Sequence, residues 1–221
     1  MPKKTKDIFQ PKSTRVIRAL LAHPGTRWRI LNLAKEAEVS LGWAHAVVAT
    51  LQEQHYIVRD SEYRVTVTDP VRLLKRWAAF HDFLSRNTFE TFQVFVKDAD
   101  DLVARARLID VSYAITGLAG AWLVAPHVRP ASLDVYVTNA QQMSEISKAM
   151  DLHSVEKGGN VRLILPYDRG VFYGSRVIDH LKVVSNVQLY VDLVNYPARG
   201  EEASAQLLGM IQHEWSKALT E

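Results

Sequence analysis

The stretch NLAKEAEVSLGWAHAVVATLQEQHYIVRDSEYRVTV, residues 32–67, decides how the first part of the chain folds. Leu33, Ala34 and Ala37 fall on one helical face that Ile30 extends backwards, so a helix is expected over 28–37, ending at Glu38-Val39-Ser40. Ser40 is a good N-cap, and Ala44, Val47, Val48 and Leu51 recur at helical spacing behind it. They predict a longer helix whose other side carries Leu41, Trp43, His45, Ala46 and Thr50. Two short runs of strand character follow, 56–59 and 63–67, separated by the tight turn Asp60-Ser61-Glu62. Upstream, Ser13 is a candidate cap for a helix that turns Val16, Ile17, Leu20 and Leu21 inward and Arg15 and Arg18 outward, stopped by His23-Pro24-Gly25.

Three helices and a hairpin over 13–68, with a short turn between the second and third helices, match the plan of helix-turn-helix DNA readers. The segment 32–59 resembles winged-helix regulators in its Ala34-Lys35-Glu36-Ala37 stretch, its Val39-Ser40 turn and its Tyr56-Ile57-Val58 strand. That resemblance implies that the start of the third helix enters the major groove, with Ser40, Leu41, Trp43, His45 and Ala46 facing bases. Phosphate contacts are expected from Arg15, Arg27, Arg29, Lys35, Arg59 and Arg64, since the third helix carries no Arg or Lys for direct readout of guanine. Two of these side chains have simpler readings: Trp43 packing on the wing, and His45 merely solvated.

Charge supports the same division. Residues 1–88 hold 15 Lys and Arg against 8 Asp and Glu, and residues 89–221 hold 12 against 16. The basic first part suits a polyanion such as double-stranded DNA, and Lys3, Lys4, Lys6 and Lys12 suggest a basic flexible tail over 1–12. Hydrophobic residues are 48% and charged residues 23% of the chain, so disordered and collagen-like classes are excluded. The absence of Cys removes disulfide frames, thiolate nucleophiles and Cys-ligated zinc. No apolar run is long enough to span a bilayer, and the N-terminus lacks the apolar stretch of a secretory signal, so a cytoplasmic protein with no membrane partner is expected.

Asp69 and Pro70 open a connecting helix expected over 69–87, with apolar stripes Leu73, Trp77, Phe80, Leu84 and Val71, Leu74, Ala78. Those stripes suit packing on a neighbouring domain or a homodimer equally well. From 88 to 221 the pattern alternates, with strands expected near 89–96, 111–115, 133–137, 161–165 and 183–194, and helices near 98–108, 118–124, 140–150 and 201–219. The expected class is therefore α+β: an N-terminal winged helix-turn-helix followed by an α/β domain.

The stretches YAITGLAGAWLVAPHVRPASLDVYVTN, 113–139, and VVSNVQLYVDLVNYPARGEEASAQLL, 183–208, resemble the AbiEi family of antitoxin-type transcriptional regulators of type IV toxin–antitoxin systems. The resemblance implies a nucleotidyltransferase-like second domain, repression of the protein's own operon, and a toxin partner that is itself a nucleotidyltransferase. Nucleotidyl transfer needs a Gly-Ser seat for the triphosphate and two or three carboxylates for Mg²⁺. Here Gly117 is followed by Leu118, Asp134 takes the first carboxylate position, Tyr136 stands where its partner is needed, and Asp192 offers a second carboxylate on a strand. These four residues read as a vestigial site, and the domain as non-catalytic, with no metal or cofactor.

Other searches for chemistry are empty: no His pair stands at zinc spacing, no Gly-x-Ser-x-Gly elbow encloses Ser175, and no Walker loop occurs. Arg169, Arg176 and Arg199 are candidates for a second nucleic-acid or toxin contact, or for simple solvation. Two further functions share this pattern: an Mg²⁺-dependent nucleotidyltransferase targeted to nucleic acid by its winged helix, and a protein-binding adaptor.

Overall fold

The structure is a computed structural model and describes residues 7–220. The expected tail therefore falls partly outside the described residues. Within them Ile8 and Phe9 are buried, and Phe9 stacks on Phe80 with ring centroids 5.2 Å apart, so this part is no loose tail.

The chain divides into two compact units: residues 1–80 with 210–221, and residues 81–209. In the first, α1 (Pro11–Ala22) starts with Pro11 rather than at Ser13, which is buried within the helix. Pro at the first position is pre-set for a helix and has no N–H to leave unpaired. Arg18, expected outside, is buried, with its guanidinium 4.8 Å from the Trp77 ring centroid and its Nη1 donating to Thr14 Oγ1 at 2.9 Å. The aromatic face and the hydroxyl replace part of the water it gives up.

Helix α2 (Ile30–Glu36) is shorter than expected because Trp28 is taken by the sheet. Its N–H and C=O exchange 2.8 Å bonds with Val65, adding a bridge to the hairpin β1 (Ile57–Arg59) and β2 (Val65–Val67). Between these elements lies α3 (Leu41–Glu53), capped by Ser40, whose Oγ accepts the Trp43 N–H at 3.3 Å. Helix α4 (Pro70–Phe80) is capped by Asp69, which accepts the Arg72 N–H at 2.9 Å. Val16, Leu20, Leu33, Val47, Leu51, Val65, Leu73 and Trp77 are all buried, so every element of the unit gives its apolar face to a core.

The connecting helix expected to reach 87 stops at Phe80, and Asp82 caps a separate turn, α5 (Phe83–Arg86), by accepting from Leu84 and Ser85 N–H. The boundary expected at 88 thus lies between Phe80 and His81, and residues 210–221 group with the first unit rather than the second.

The second unit is built on β3 (Thr88–Gln93), α6 (Ala99–Ala104), β4 (Tyr113–Thr116), α7 (Gly117–Val124), β5 (Leu133–Val137), α8 (Ala140–Ala149), β6 (His153–Ser154), β7 (Val161–Leu165), β8 (Arg176–Ile178), β9 (Leu181–Val183), α9 (Asn186–Val194) and the start of α10 (Gly200–Thr220). Its sheet runs β6-β3-β7-β5-β4-β9-β8, with β5 parallel to β7 and antiparallel to β4. Strand β5 is buried on both sides. Leu133, Val135 and Val137 enter an apolar core with Met143 and Ile146 of α8, so the alternate residues Asp134 and Tyr136 point to the opposite face. The strand expected over 183–194 is mostly α9, and this moves Asp192 from a strand to a helix. No helix among the described residues is long and apolar enough to cross a membrane.

Candidate nucleic-acid interface

The base-facing positions expected on α3 lie at its start. Leu41 is 43% exposed, His45 is exposed, and Trp43 and Ala46 are half-buried. Gly42 has open space where a Cβ would stand, with no atom of the described residues within 4 Å of it. The Trp43 ring is not bare: the Lys12 ammonium sits 5.1 Å from its centroid. A cation there places positive charge beside the α3 start, which has none of its own.

The cations expected to hold phosphates differ in what already occupies them. Arg27 donates through Nε to Asp60 Oδ2 at 2.9 Å and also through Nη2, and Arg64 Nη2 lies 2.6 Å from Glu62. Arg15 is half-buried, and its Nη1 reaches the Glu38 carbonyl at 3.4 Å. Arg29 and Lys35 are exposed and meet no carboxylate among the described residues. Arg59 is half-buried, with its Nε buried and unpartnered there.

Asp60 organises the hairpin tip. Its Oδ1 accepts the N–H groups of Glu62 at 2.9 Å and Arg64 at 3.0 Å, while Oδ2 takes Arg27. The Arg27 bond, then the backbone bonds, hold its carboxyl below the usual range. Tyr63, at the tip, is 77% exposed and has φ of 59°.

The residues of the expected vestigial site come together in the second unit, each already occupied. Arg162, on β7 beside β5, donates to Asp134 Oδ1 through Nε at 2.5 Å and to Oδ2 through Nη2 at 3.0 Å. Tyr196 also donates to Oδ2 and accepts from Arg162 Nη2. Asp192 takes four donors: His81 Nε2 at 3.1 Å and Gln188 Nε2 at 2.7 Å on Oδ1, and Thr116 Oγ1 at 2.6 Å and Tyr136 OH at 3.1 Å on Oδ2. Asn87 donates to the Tyr136 oxygen at 3.4 Å and accepts the Tyr167 N–H at 3.1 Å.

Gly117 has φ of 61°, and a Cβ there would run into the Asp134 carboxylate and the Tyr196 ring. The turn from β4 into α7 therefore passes the carboxylate at a distance only glycine allows. Burial pushes the Tyr136 phenol up, with the Asp192 charge adding to it; burial does the same to Tyr196, helped by Asp134. Burial works against the Arg162 charge, and Asp134 outweighs it.

These donors do not fit a divalent cation. A hard metal needs carboxylate oxygens turned toward it, and both aspartates here are fully buried and turned to N–H and O–H groups. Sequence reasoning missed Arg162, Tyr196, His81 and Gln188. An Arg inside the apolar run 161–165 was the available signal, because a buried strand tolerates a cation only beside an anion. Of the other arginines proposed for contacts, Arg199 is paired with Glu202 at 2.5 Å and Arg176 donates to Asn186.

No curated protein and no solved structure matches the chain. A family model does, that of the transcriptional regulator, AbiEi antitoxin, type IV TA system, over residues 65–212. It spans more than half the chain, including the last hairpin strand, α4 and the whole second unit with Gly117, Asp134, Tyr136 and Asp192. By that match the chain belongs to the AbiEi antitoxin family of transcriptional regulators of type IV toxin–antitoxin systems.

Proposed function

We propose that the protein is a repressor of its own operon that binds duplex DNA through a winged helix-turn-helix, and an antitoxin that neutralises a nucleotidyltransferase toxin. The observation that carries the DNA reading is the open start of α3: Leu41, Gly42 and His45 are exposed at the first turns of a helix whose other side, Ala44, Val47, Val48 and Leu51, is buried. Wings and recognition helices work as a pair, and the hairpin after α3 supplies the wing, with Tyr63 at its tip. In this reading Ser40, Leu41, Trp43, His45 and Ala46 meet bases, while Arg29, Lys35 and Arg59 meet phosphates.

The second unit is read as a nucleotidyltransferase-like fold in which catalysis has been replaced by structure. The support is chemical: the two aspartates that would hold Mg²⁺ are spent on Arg162 and Tyr196, and on His81, Gln188, Thr116 and Tyr136. The full chain should retard the DNA upstream of its own coding region in a gel shift. Trp43→Ala should lower affinity for that DNA more than for random duplex, because its position faces bases. Equal losses on the two duplexes would return Trp43 to the scaffold, and no retardation of either would remove the repressor reading.

A further inference from the structure

The helix after the hairpin carries a basic surface separate from the α3 face. Arg72, Lys75 and Arg76 stand at i, i+3 and i+4 on α4, so they share one side of it, and all three are exposed. With Tyr56 and Val71 they line an open cleft of about 460 Å³. Its one carboxylate, Asp69, is occupied in capping α4 through the Arg72 N–H.

The cations are held ready. The Arg72 guanidinium lies 4.5 Å from the Tyr56 ring centroid, and its Nη2 donates to the carbonyls of His55 at 2.7 Å and Gln54 at 3.2 Å. The Arg76 guanidinium lies 4.5 Å from the Phe80 ring centroid. Stacking on a ring fixes a guanidinium without neutralising it, so little side-chain entropy remains to be lost when an anion arrives. Lys75 and Arg76 meet no carboxylate among the described residues, unlike Arg27 and Arg64 of the hairpin region, which are paired with Asp60 and Glu62.

We propose that this cleft binds backbone phosphates of the duplex as a second contact beyond the α3 surface; the proposal rests on the DNA-binding reading above. The cleft lies at the end of α3, where Gln54 and His55 close the helix, whereas the base-facing positions lie at its start. A helix of 13 residues is about 20 Å long, so the two surfaces meet different phosphates. Cations on phosphate position a protein without reading sequence. The cleft therefore adds affinity and salt dependence, and leaves the choice of operator to α3.

The test is binding of the full chain to operator and random duplexes across a salt series. Compared with the unaltered protein, Lys75→Ala/Arg76→Ala should lower the slope of log affinity against log salt by about two, one per lost phosphate contact, with the operator-to-random ratio unchanged. The charge-preserving Lys75→Arg/Arg76→Lys variant should keep the slope. An unchanged slope in the alanine variant, or an equal loss in the charge-preserving one, overturns the proposal while leaving the α3 reading intact. Calorimetric titration with inorganic phosphate completes the test: binding that the alanine variant loses without a change in slope would assign the cleft to a small anion and overturn the DNA contact. If the unaltered protein binds neither duplex, both readings fall.

Discussion

Arg162 holds one of the two fully buried carboxylates of the second unit, because Asp134 lies under it with no exposure and with Tyr196 as its other side-chain partner. Removing one member of such a pair costs more than the pair contributes, since the remaining charge is left in a poor solvent. Arg162→Ala should destabilise the protein by about 3 kcal/mol, the low end for a buried pair because its own side chain keeps 16% exposure. Urea denaturation checks this, and a loss below about 1 kcal/mol would mean that Tyr196 alone suffices for Asp134. The buried phenols make a second prediction. Tyr136, Tyr190 and Tyr196 all have raised pKa values, through burial first, and for Tyr136 and Tyr196 through a neighbouring aspartate as well. Their stabilising contribution is complete below the unfolded value of about 10 and is lost as pH rises toward the folded values. Tyr136 and Tyr196, held also by an aspartate, should ionise only as the chain unfolds, seen as a late step in tyrosinate absorbance. Tyr136→Phe/Tyr196→Phe should flatten the fall in urea midpoint above pH 10.

At the scale of elements, what could be read from the chain was whatever announces itself locally. Ser40 before the Ala44, Val47, Val48, Leu51 stripe gave α3, and Asp69-Pro70 gave the start of α4. Trp28 reads as helical from the sequence because its partner, Val65, lies in a distant strand that no local pattern connects to it. The helical state of α9 is hidden for another reason. That helix is buried on all its sides from Asn186 to Leu193, so no polar face remains to show a period of 3.6. The signal that survived is Ser185 three residues before Gln188, the spacing of a capping box, and Ser185 Oγ does accept the Gln188 N–H at 3.2 Å. The pairing of Arg27 with Asp60 is equally invisible in the sequence, and it sets the charge that the hairpin presents. Asp60→Asn keeps the acceptor for the Glu62 and Arg64 N–H groups but releases Arg27 from its counter-charge. Binding to random duplex should tighten, and the salt slope should steepen by about one. A slope that stays the same would place Arg27 away from the DNA.

At the scale of the molecule, residues 1–88 carry a basic excess and residues 89–221 an acidic one. Affinity for duplex DNA should therefore fall steeply with salt although the protein's formal net charge is only +3. The second unit should carry out no nucleotide transfer, because Asp134 and Asp192 have their oxygens committed to the protein. Incubation with Mg²⁺, labelled nucleoside triphosphates and tRNA should leave RNA and protein unlabelled. Label that appears and is abolished by Asp134→Ala would make the protein an enzyme after all.

The first unit takes its residues from both 1–80 and 210–221, with the whole of the second unit made in between. On a ribosome adding about 5–20 residues each second, on the order of ten seconds pass between the two pieces. A nascent chain thus carries its first unit unfinished until residues 210–221 have been made, whereas a continuous unit would be ready while still tethered. DNA binding by that unit, as proposed above, would then follow the number of finished molecules, not the number of translating ribosomes.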